Sequence, residues 1–515
     1  MKQTFRSFVL AVLALAVTGC GAYPLRNDAV TAPERPKYDW DALQDGELQD
    51  TLVSFTALCG GTRATALAMA VLQAMDKVKL ASGRGLADEI DIISSVSGGS
   101  VTAGYFALYG KEGLPTLEEN FVRKDGIGAL LSAGLNPISL ANLASPSRER
   151  IDLLVDYLDR QLFDKKTFAQ LIERKRRPYL ILNAADMVEG TPFPFTQYTM
   201  DLLCSDLTTM KLSTAVAASA AFPVALSPVT LKNYSKCAGV PTPVWIRAAS
   251  NTSWYTNPGR VVWGRTASAY ADGSKQYVHL LDGGIADNLG VSEPYRLLTT
   301  DDVPPLLKQD IADGRIRKII FVMVNARSFP PSELDRSQAT PGVLDMLGAS
   351  ISSSIDRASL GSAERLRTLL NDRFRAIADG AAQAARQAPQ PGLPADVVRM
   401  QREQLAKIAA NFRAITANTQ FIAVDFDAIP DAACRQTFHS VKTTWTLPPD
   451  QIDALKTMGE ALFAASPDYG KAMQALNAQP PAGTFPTVGQ ACNMLAAKSV
   501  AEVSPSAVVR RSGSP

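Results

Sequence analysis

Ile90-Asp-Ile-Ile-Ser-Ser-Val-Ser-Gly-Gly-Ser-Val-Thr-Ala-Gly-Tyr-Phe-Ala-Leu-Tyr109 is the stretch on which the fold turns. An apolar run, Ile90 to Ile93, enters Ser94-Ser95-Val96-Ser97-Gly98-Gly99, and an Ala/Gly/aromatic run with helical spacing follows. The pattern is a strand, a sharp turn and a helix, with Ser97 at the apex. A serine there points its hydroxyl off the end of a sheet, toward a helix N-terminus whose unpaired N–H groups favour negative charge. That is the outline of a G-x-S-x-G turn, with Ser95 in the first glycine position. The position must be small because strand and helix pack closely, and serine is nearly the smallest substitute. By itself the stretch is equally a Ser/Gly-rich βα turn with no chemistry.

Outward from this turn the same pattern repeats. Thr51 to Leu58 reads as a strand, Cys59-Gly60-Gly61-Thr62-Arg63 as a tight loop, and the next segment as a helix with Ala66, Leu67, Ala70, Val71, Ala74, Met75 and Val78 on one face. Two strand–turn–helix units in succession predict an α/β fold, an open, mainly parallel sheet flanked by helices. Downstream, Tyr179 to Asn183, Val278 to Leu281, Lys318 to Val324 and Gln420 to Phe426 read as strands, and Leu212 to Ala221 as a helix. Residues 115–170 read as amphipathic helices broken by Pro137 and Pro146, and 230–275, with Trp245, Trp254 and Trp263, as loops or hairpins. Pro448-Pro449-Asp450 opens a helix running to about Ala465. The expected organisation is a signal peptide at 1–19, a tether at 20–50, a catalytic domain at 51–330, a helical insertion or lid at 331–415, a strand and helix returning to the core at 416–490, and a loose tail at 491–515.

The 515 residues are 46% hydrophobic and 20% charged with a formal net charge of +2, a balance that gives no reason to invoke nucleic acid. The basic run Arg174-Lys175-Arg176-Arg177 reads as a solvated helix end. Only two histidines occur and no C-x-x-C pair, so a zinc site of His and Cys is not expected, and no cofactor or metal is called for. Nothing in the residues sets the oligomeric state.

Three parts are needed for nucleophilic acyl chemistry: a nucleophile, a base and an oxyanion site. His279 lies three residues before Asp282 on a strand, so their side chains face opposite ways, and His439 stands in no motif. Asp282-Gly283-Gly284 is expected to close a parallel strand, at the sheet edge where ligands bind in open α/β folds, although such a turn can also be a simple cap. An Asp is a weak base, but beside a serine in a low-dielectric cleft its pKa can rise enough to take the proton. Adjacent glycines at Gly60 and Gly61 expose backbone N–H groups at a helix's positive end, with Arg63 adding charge on the first turn.

Glycine loop, serine turn and Asp-Gly-Gly, in that order, resemble the patatin-like phospholipase family. Ala215-Val-Ala-Ala-Ser-Ala-Ala-Phe-Pro-Val-Ala-Leu-Ser-Pro228 is similar to the family's A-x-x-A-S-x-A-x-P-x-x-F-x-P segment, with Leu226 in the aromatic place, and Asn183-Ala-Ala-Asp186 resembles its N-x-x-D turn. The resemblance implies a Ser–Asp dyad of Ser97 and Asp282, with Gly60, Gly61 and Arg63 lining the oxyanion site. Cys59, Ala64 and Ser95 depart from the family's glycines. The implied activity is serine acyl hydrolysis of phospholipid or other lipid esters through an acyl-enzyme. An acyltransferase, and a non-catalytic envelope protein that binds lipid or protein, remain as alternatives.

Lys2 and Arg6 precede an apolar run from Phe8 to Val17, which is a secretory signal too short to span a membrane. Val17-Thr18-Gly19-Cys20 resembles the lipobox of bacterial lipoproteins. That resemblance implies lipidation of Cys20 and a mature chain anchored to an envelope membrane, the outer one favoured. Six cysteines suit an exported chain. Neighbour pairing, Cys204 with Cys237 and Cys434 with Cys492, is the expected scheme.

Overall fold

A computed structural model describes residues 24–32, 34–43, 50–126, 128–129, 148–223, 225–235, 243–255, 257–300, 306–329, 334–336, 338–359, 362–389, 391–481 and 483–499. Ten strands lie among them: β1 (Asp28–Ala29), β2 (Thr51–Ala57), β3 (Ile92–Val96), β4 (Tyr179–Asp186), β5 (Pro192–Pro194), β6 (Ser205–Asp206), β7 (Val229–Lys232), β8 (Tyr277–Asp282), β9 (Lys318–Asn325) and β10 (Thr419–Asp425). The main sheet runs β10-β9-β2-β3-β4-β8-β7, with β5 also paired to β4. The first five strands of that order are mutually parallel, while β8, β7 and β5 pair antiparallel. Every residue of β2, β3 and β4 is buried, which accounts for their unbroken apolar runs: a central parallel strand is covered on both faces.

The helix Gly61–Lys77 carries 14 buried residues and follows β2, and the helix Gly98–Tyr109 follows β3. Small side chains let the two pack closely. The Thr65 hydroxyl donates to the Gly98 carbonyl at 2.8 Å, and the Thr102 hydroxyl to that of Thr65 at 2.9 Å. The helix Pro449–Ala465 begins where the double proline predicts and packs on Gly61–Lys77. Residues 331–415 are helical as expected, with Val343–Ser359, Ser362–Arg386 and Ala395–Ala417.

Four expectations need correction. Residues 230–275 carry two helices, Val244–Ser250 and Pro258–Ala271, rather than only loops or hairpins. The missed signal is Asn257-Pro258: the Asn257 side chain caps the Arg260 N–H at 3.0 Å, and Pro258 has the fixed φ of a first turn. The supposed tether packs on the body. β1 pairs with β6, and buried Tyr38 both donates to and accepts from the backbone of Leu180. Its aromatic residues, Tyr38 and Trp40, gain more by burial beside Tyr179 than a solvated linker would allow. The tail is not loose from its start: Val488–Ser499 is a helix, held by a Cys434–Cys492 disulfide. The strand that ends at Asp282 is not one of the parallel set: β8 pairs antiparallel with β4. Cys204 is disulfide-bonded, and its expected partner Cys237 lies outside the described residues, as do the signal peptide, Cys20, Pro137 and Pro146.

Candidate active site

Register brings the serine and the aspartate together. Val96, the last residue of β3, pairs with Asn183, and Asp282, the last of β8, pairs with Ala184. One strand runs toward the C-terminal edge and the other comes back to it, so the residues that end them meet over two neighbouring positions of β4. Ser97 sits at φ 54° and ψ −123°, a conformation non-glycine residues rarely adopt, between β3 and its helix. Gly98 and Gly99 are required just after it. A Cβ on Gly98 would lie 2.1 Å from the Gly61 carbonyl oxygen, and one on Gly99 2.5 Å from that of Ala57.

The strained turn is held by hydroxyls. The Ser97 N–H donates to Ser219 Oγ at 2.9 Å; that hydroxyl donates to the Asn183 carbonyl at 2.6 Å and shares a bond with Ser100 Oγ at 2.9 Å. Ser95 Oγ lies 3.1 Å from Ser100 Oγ, so the serine in the first glycine position joins the same chain. The segment carrying Ser219 also reaches the aspartate: the Asp282 N–H donates to Ala221 O at 3.0 Å and the Gly283 N–H to Ser219 O at 3.1 Å. The role of Ser219 is not legible in local spacing, although it stands in the quoted Ala-Ser-Ala-Ala segment. Asn183 donates to Ser94 Oγ at 2.9 Å and to Ser95 O at 3.0 Å, tying β4 to β3.

Asp282 is 3% exposed and Ser97 8%, so both are all but closed off from solvent. Burial pushes the Asp282 carboxyl up to about 6, against the pull of the Gly284 N–H, which donates to it at 2.9 Å, and of the Ser97 hydroxyl. The shift moves this group toward the range in which a carboxylate can accept a proton near neutral pH. The histidines are occupied elsewhere. His279 Nδ1 bonds Thr230 Oγ1 at 2.9 Å across β7, and buried His439 bonds Asp427 at 2.9 Å beside Phe329 and Phe426.

The glycine loop stands against the serine turn with Gly60 at φ 150° and Gly61 at φ 57°. Among the described residues, no hydrogen bond takes the N–H of Gly60 or Gly61. The next amide, Thr62, donates to the Thr444 carbonyl at 2.9 Å, and a Cβ on Gly61 would come within 2.6 Å of that oxygen. Arg63 is not directed at a developing oxyanion. It is 2% exposed, and its guanidinium donates to Ala326 O at 2.7 Å, Val441 O at 2.5 Å and Thr443 Oγ1 at 2.9 Å. It straps residues 441–446 across the loop, a long-range tie that no local motif encodes. The Cys59 sulfur packs near Gly284, 3.5 Å from where a Cβ on that glycine would stand.

The patatin-like phospholipase family model matches residues 57–295, a span that begins at the end of β2 and holds the glycine loop, Ser97, Asn183, Ser219 and Asp282. Residues 57–295 resemble a patatin-like phospholipase domain. No curated protein matches the chain. Among solved structures, the chain is similar to human GIVD cytosolic phospholipase A2 in complex with methyl gamma-linolenyl fluorophosphonate, at 12% identity and a TM-score of 0.38, over 89% of this chain and 63% of that one. The same human enzyme without that compound in its description matches at 13% identity and a TM-score of 0.39, over 85% of this chain and 62% of that one. The chain thus spans less than two thirds of the length of these solved phospholipases. Within residues 57–295, a strained serine, a buried carboxylate and two unpaired amides converge, an arrangement suited to acyl transfer through a covalent intermediate.

Proposed function

We propose that the protein is a lipid acyl hydrolase working through Ser97 and Asp282. The observation that carries the reading is a buried carboxylate raised to about 6 beside a serine on a strained strand–helix turn. Ser97 Oγ attacks the ester carbonyl as its proton passes to the Asp282 carboxylate, and the N–H groups of Gly60 and Gly61 receive the oxyanion. Collapse of the tetrahedral species expels the alcohol, which takes the proton from Asp282, and leaves an acyl ester on Ser97. Water, deprotonated by Asp282, then attacks that ester; the fatty acid departs and Ser97 recovers its proton. The domain's family supports a phospholipid or related lipid ester as substrate.

A fluorophosphonate probe should label the folded protein, and Ser97→Ala should abolish labelling and lower ester turnover by about 1000-fold or more. Folded wild-type protein that takes no label sinks the reading. Glycerol or another alcohol added to the assay should leave free fatty acid as the main product; acyl appearing mostly on the alcohol assigns a transferase instead. We further propose lipidation at Cys20 as the membrane anchor, supported by the lipobox-like Val17-Thr18-Gly19-Cys20. Cys20→Ser should move the protein from the membrane to the soluble fraction, and continued membrane retention refutes the anchor.

A further inference from the structure

Register places a short antiparallel ribbon beyond the catalytic edge of the sheet. β3 ends at Val96, level with Asn183, but β4 continues to Asp186 and pairs there with β8, Ala184 opposite Asp282 and Asp186 opposite Leu280. The Met187 N–H donates to the His279 carbonyl at 2.8 Å, and β7 adds to the ribbon with Lys232 opposite Tyr277. Five steps of strand separate Asp282 from Tyr277, about 17 Å at the usual rise. The far end of the ribbon therefore stands out from Ser97 and Asp282 on their own side of the sheet.

The N-terminal segment is fastened to that far end. Asn27 is buried; it donates to the Lys232 carbonyl at 2.9 Å and accepts the Lys232 N–H at 2.8 Å, and the Tyr234 hydroxyl donates to the Asn27 carbonyl at 2.7 Å. Arg26 pairs with Asp152. Leu25 thus lies two residues from the ribbon. Five residue steps lead back from it to Cys20, at most about 18 Å of extended chain. An acyl anchor on Cys20 would hold the ribbon end against a bilayer, not the opposite edge of the sheet.

The side chains at this end suit such a surface. Leu25 is 55% exposed, Met187 47%, Val188 68% and Tyr277 49%. The charges of the β4–β5 turn face one another, Lys275 bridging Asp186 at 3.0 Å and Glu189 at 3.2 Å, which leaves Met187 and Val188 as its outward groups. Aliphatic side chains with a tyrosine among them fit the boundary between headgroups and acyl chains. The ribbon's length is also about that of one acyl chain, since two such chains span a hydrocarbon core of about 30 Å. We propose that the end of the β7–β8 ribbon, with Leu25, Met187, Val188 and Tyr277, lies on the bilayer that carries the Cys20 anchor, and that the enzyme draws its ester lipids from that same leaflet. This rests on the Ser97–Asp282 reading and on lipidation at Cys20. A lipid that rises by about one chain length brings its ester to Ser97 with its chain ends still at the leaflet.

In the test, the full-length protein carrying its anchor is placed in vesicles of phosphatidylethanolamine and phosphatidylglycerol and compared by amide hydrogen exchange with Cys20→Ser protein in buffer. Exchange over 24–28 and 187–190 should slow about 5-fold or more, while 174–177, at the opposite edge just before β4, should not change. Val188→Glu should cut hydrolysis of the vesicle phospholipid about 10-fold and leave that of a dissolved short-chain ester within about two-fold. Leu25→Glu, on a separate segment, should do the same and serves where the first variant folds poorly. Acyl-labelled phospholipid should be cleaved at least about 10-fold faster in vesicles that carry the protein than in added vesicles without it. The proposal is overturned by equal exchange at the ribbon and at 174–177, or by equal cleavage in the two vesicle populations. Folded glutamate variants that match wild type on vesicles, or that lose both substrates alike, overturn it as well. The hydrolase reading fails separately: wild-type protein that turns over no dissolved ester sinks it even where the ribbon is protected.

Discussion

At Asp282 chemistry and stability pull in opposite directions. Its carboxyl stands near 6 in the fold against an ordinary value of 3.8, so the fold favours the protonated form. That contribution to stability is fully present below about pH 4 and is lost as pH rises through about 6. At pH 8 the buried charge costs up to about 3 kcal/mol. Asp282→Asn should therefore unfold at higher denaturant than wild type at pH 8, with the gain fading toward pH 4, while ester hydrolysis falls by about 1000-fold. Equal stability at both pH values would mean that the group is not held raised. Wild-type kcat/KM should drop on the acid side with a midpoint near 6, since the base must be ionised. A profile flat from pH 5 to 8, in protein that stays folded, counts against Asp282 as base.

At the scale of elements, the glycine loop depends on a segment from outside residues 57–295. Arg63 reaches Ala326, Val441 and Thr443, and Thr444 takes the Thr62 amide, so residues 441–446 and the loop hold one another in place. Arg63→Ala leaves those acceptors without their charged donor, a loss of about 1.5–3 kcal/mol per strong bond before relaxation. It should lower kcat by about 10-fold or more and open the 441–446 segment to limited proteolysis; Arg63→Lys, which keeps charge without the three-way fork, should fall between. A variant with lowered kcat and an unchanged digestion pattern would show that the arginine acts otherwise than through the strap. The helix Pro449–Ala465 was readable from its double proline, and the turn at Ser97 from its strand–glycine–helix pattern. The helix at 258–271 was not, because tryptophans and scattered polar residues hid the Asn257-Pro258 start.

At the scale of the whole molecule, the helix Val343–Ser359 packs against Gly284–Asp287, the short helix that begins directly behind Asp282-Gly283. Val343, Met346 and Leu347 remain exposed on it, at i, i+3 and i+4. We propose that this exposed apolar face meets lipid. Met346→Ser with Leu347→Ser should reduce hydrolysis of phospholipid vesicles several-fold and leave that of a dissolved short-chain ester within about two-fold. Equal loss on both substrates would place the helix in the fold's support instead. The three helices of 331–415 were legible as helices, but which of them packs on Gly284–Asp287 was not.

The opening stretch, Ile90 to Tyr109, determined by itself that a serine would stand between a strand and a helix, because backbone geometry there is a matter of local residue size and periodicity. Glycines at 60, 61, 283 and 284 likewise declared tight turns, and the lack of a histidine motif pointed to an aspartate as partner. Only the tertiary structure decided that Ser97 and Asp282 meet over Asn183 and Ala184, that Ser219 holds the serine's amide, and that Arg63 serves residues 441–443. Those are contacts between residues that stand far apart along the chain. Their chemistry depends on strand register and burial, which spacing along the chain does not carry.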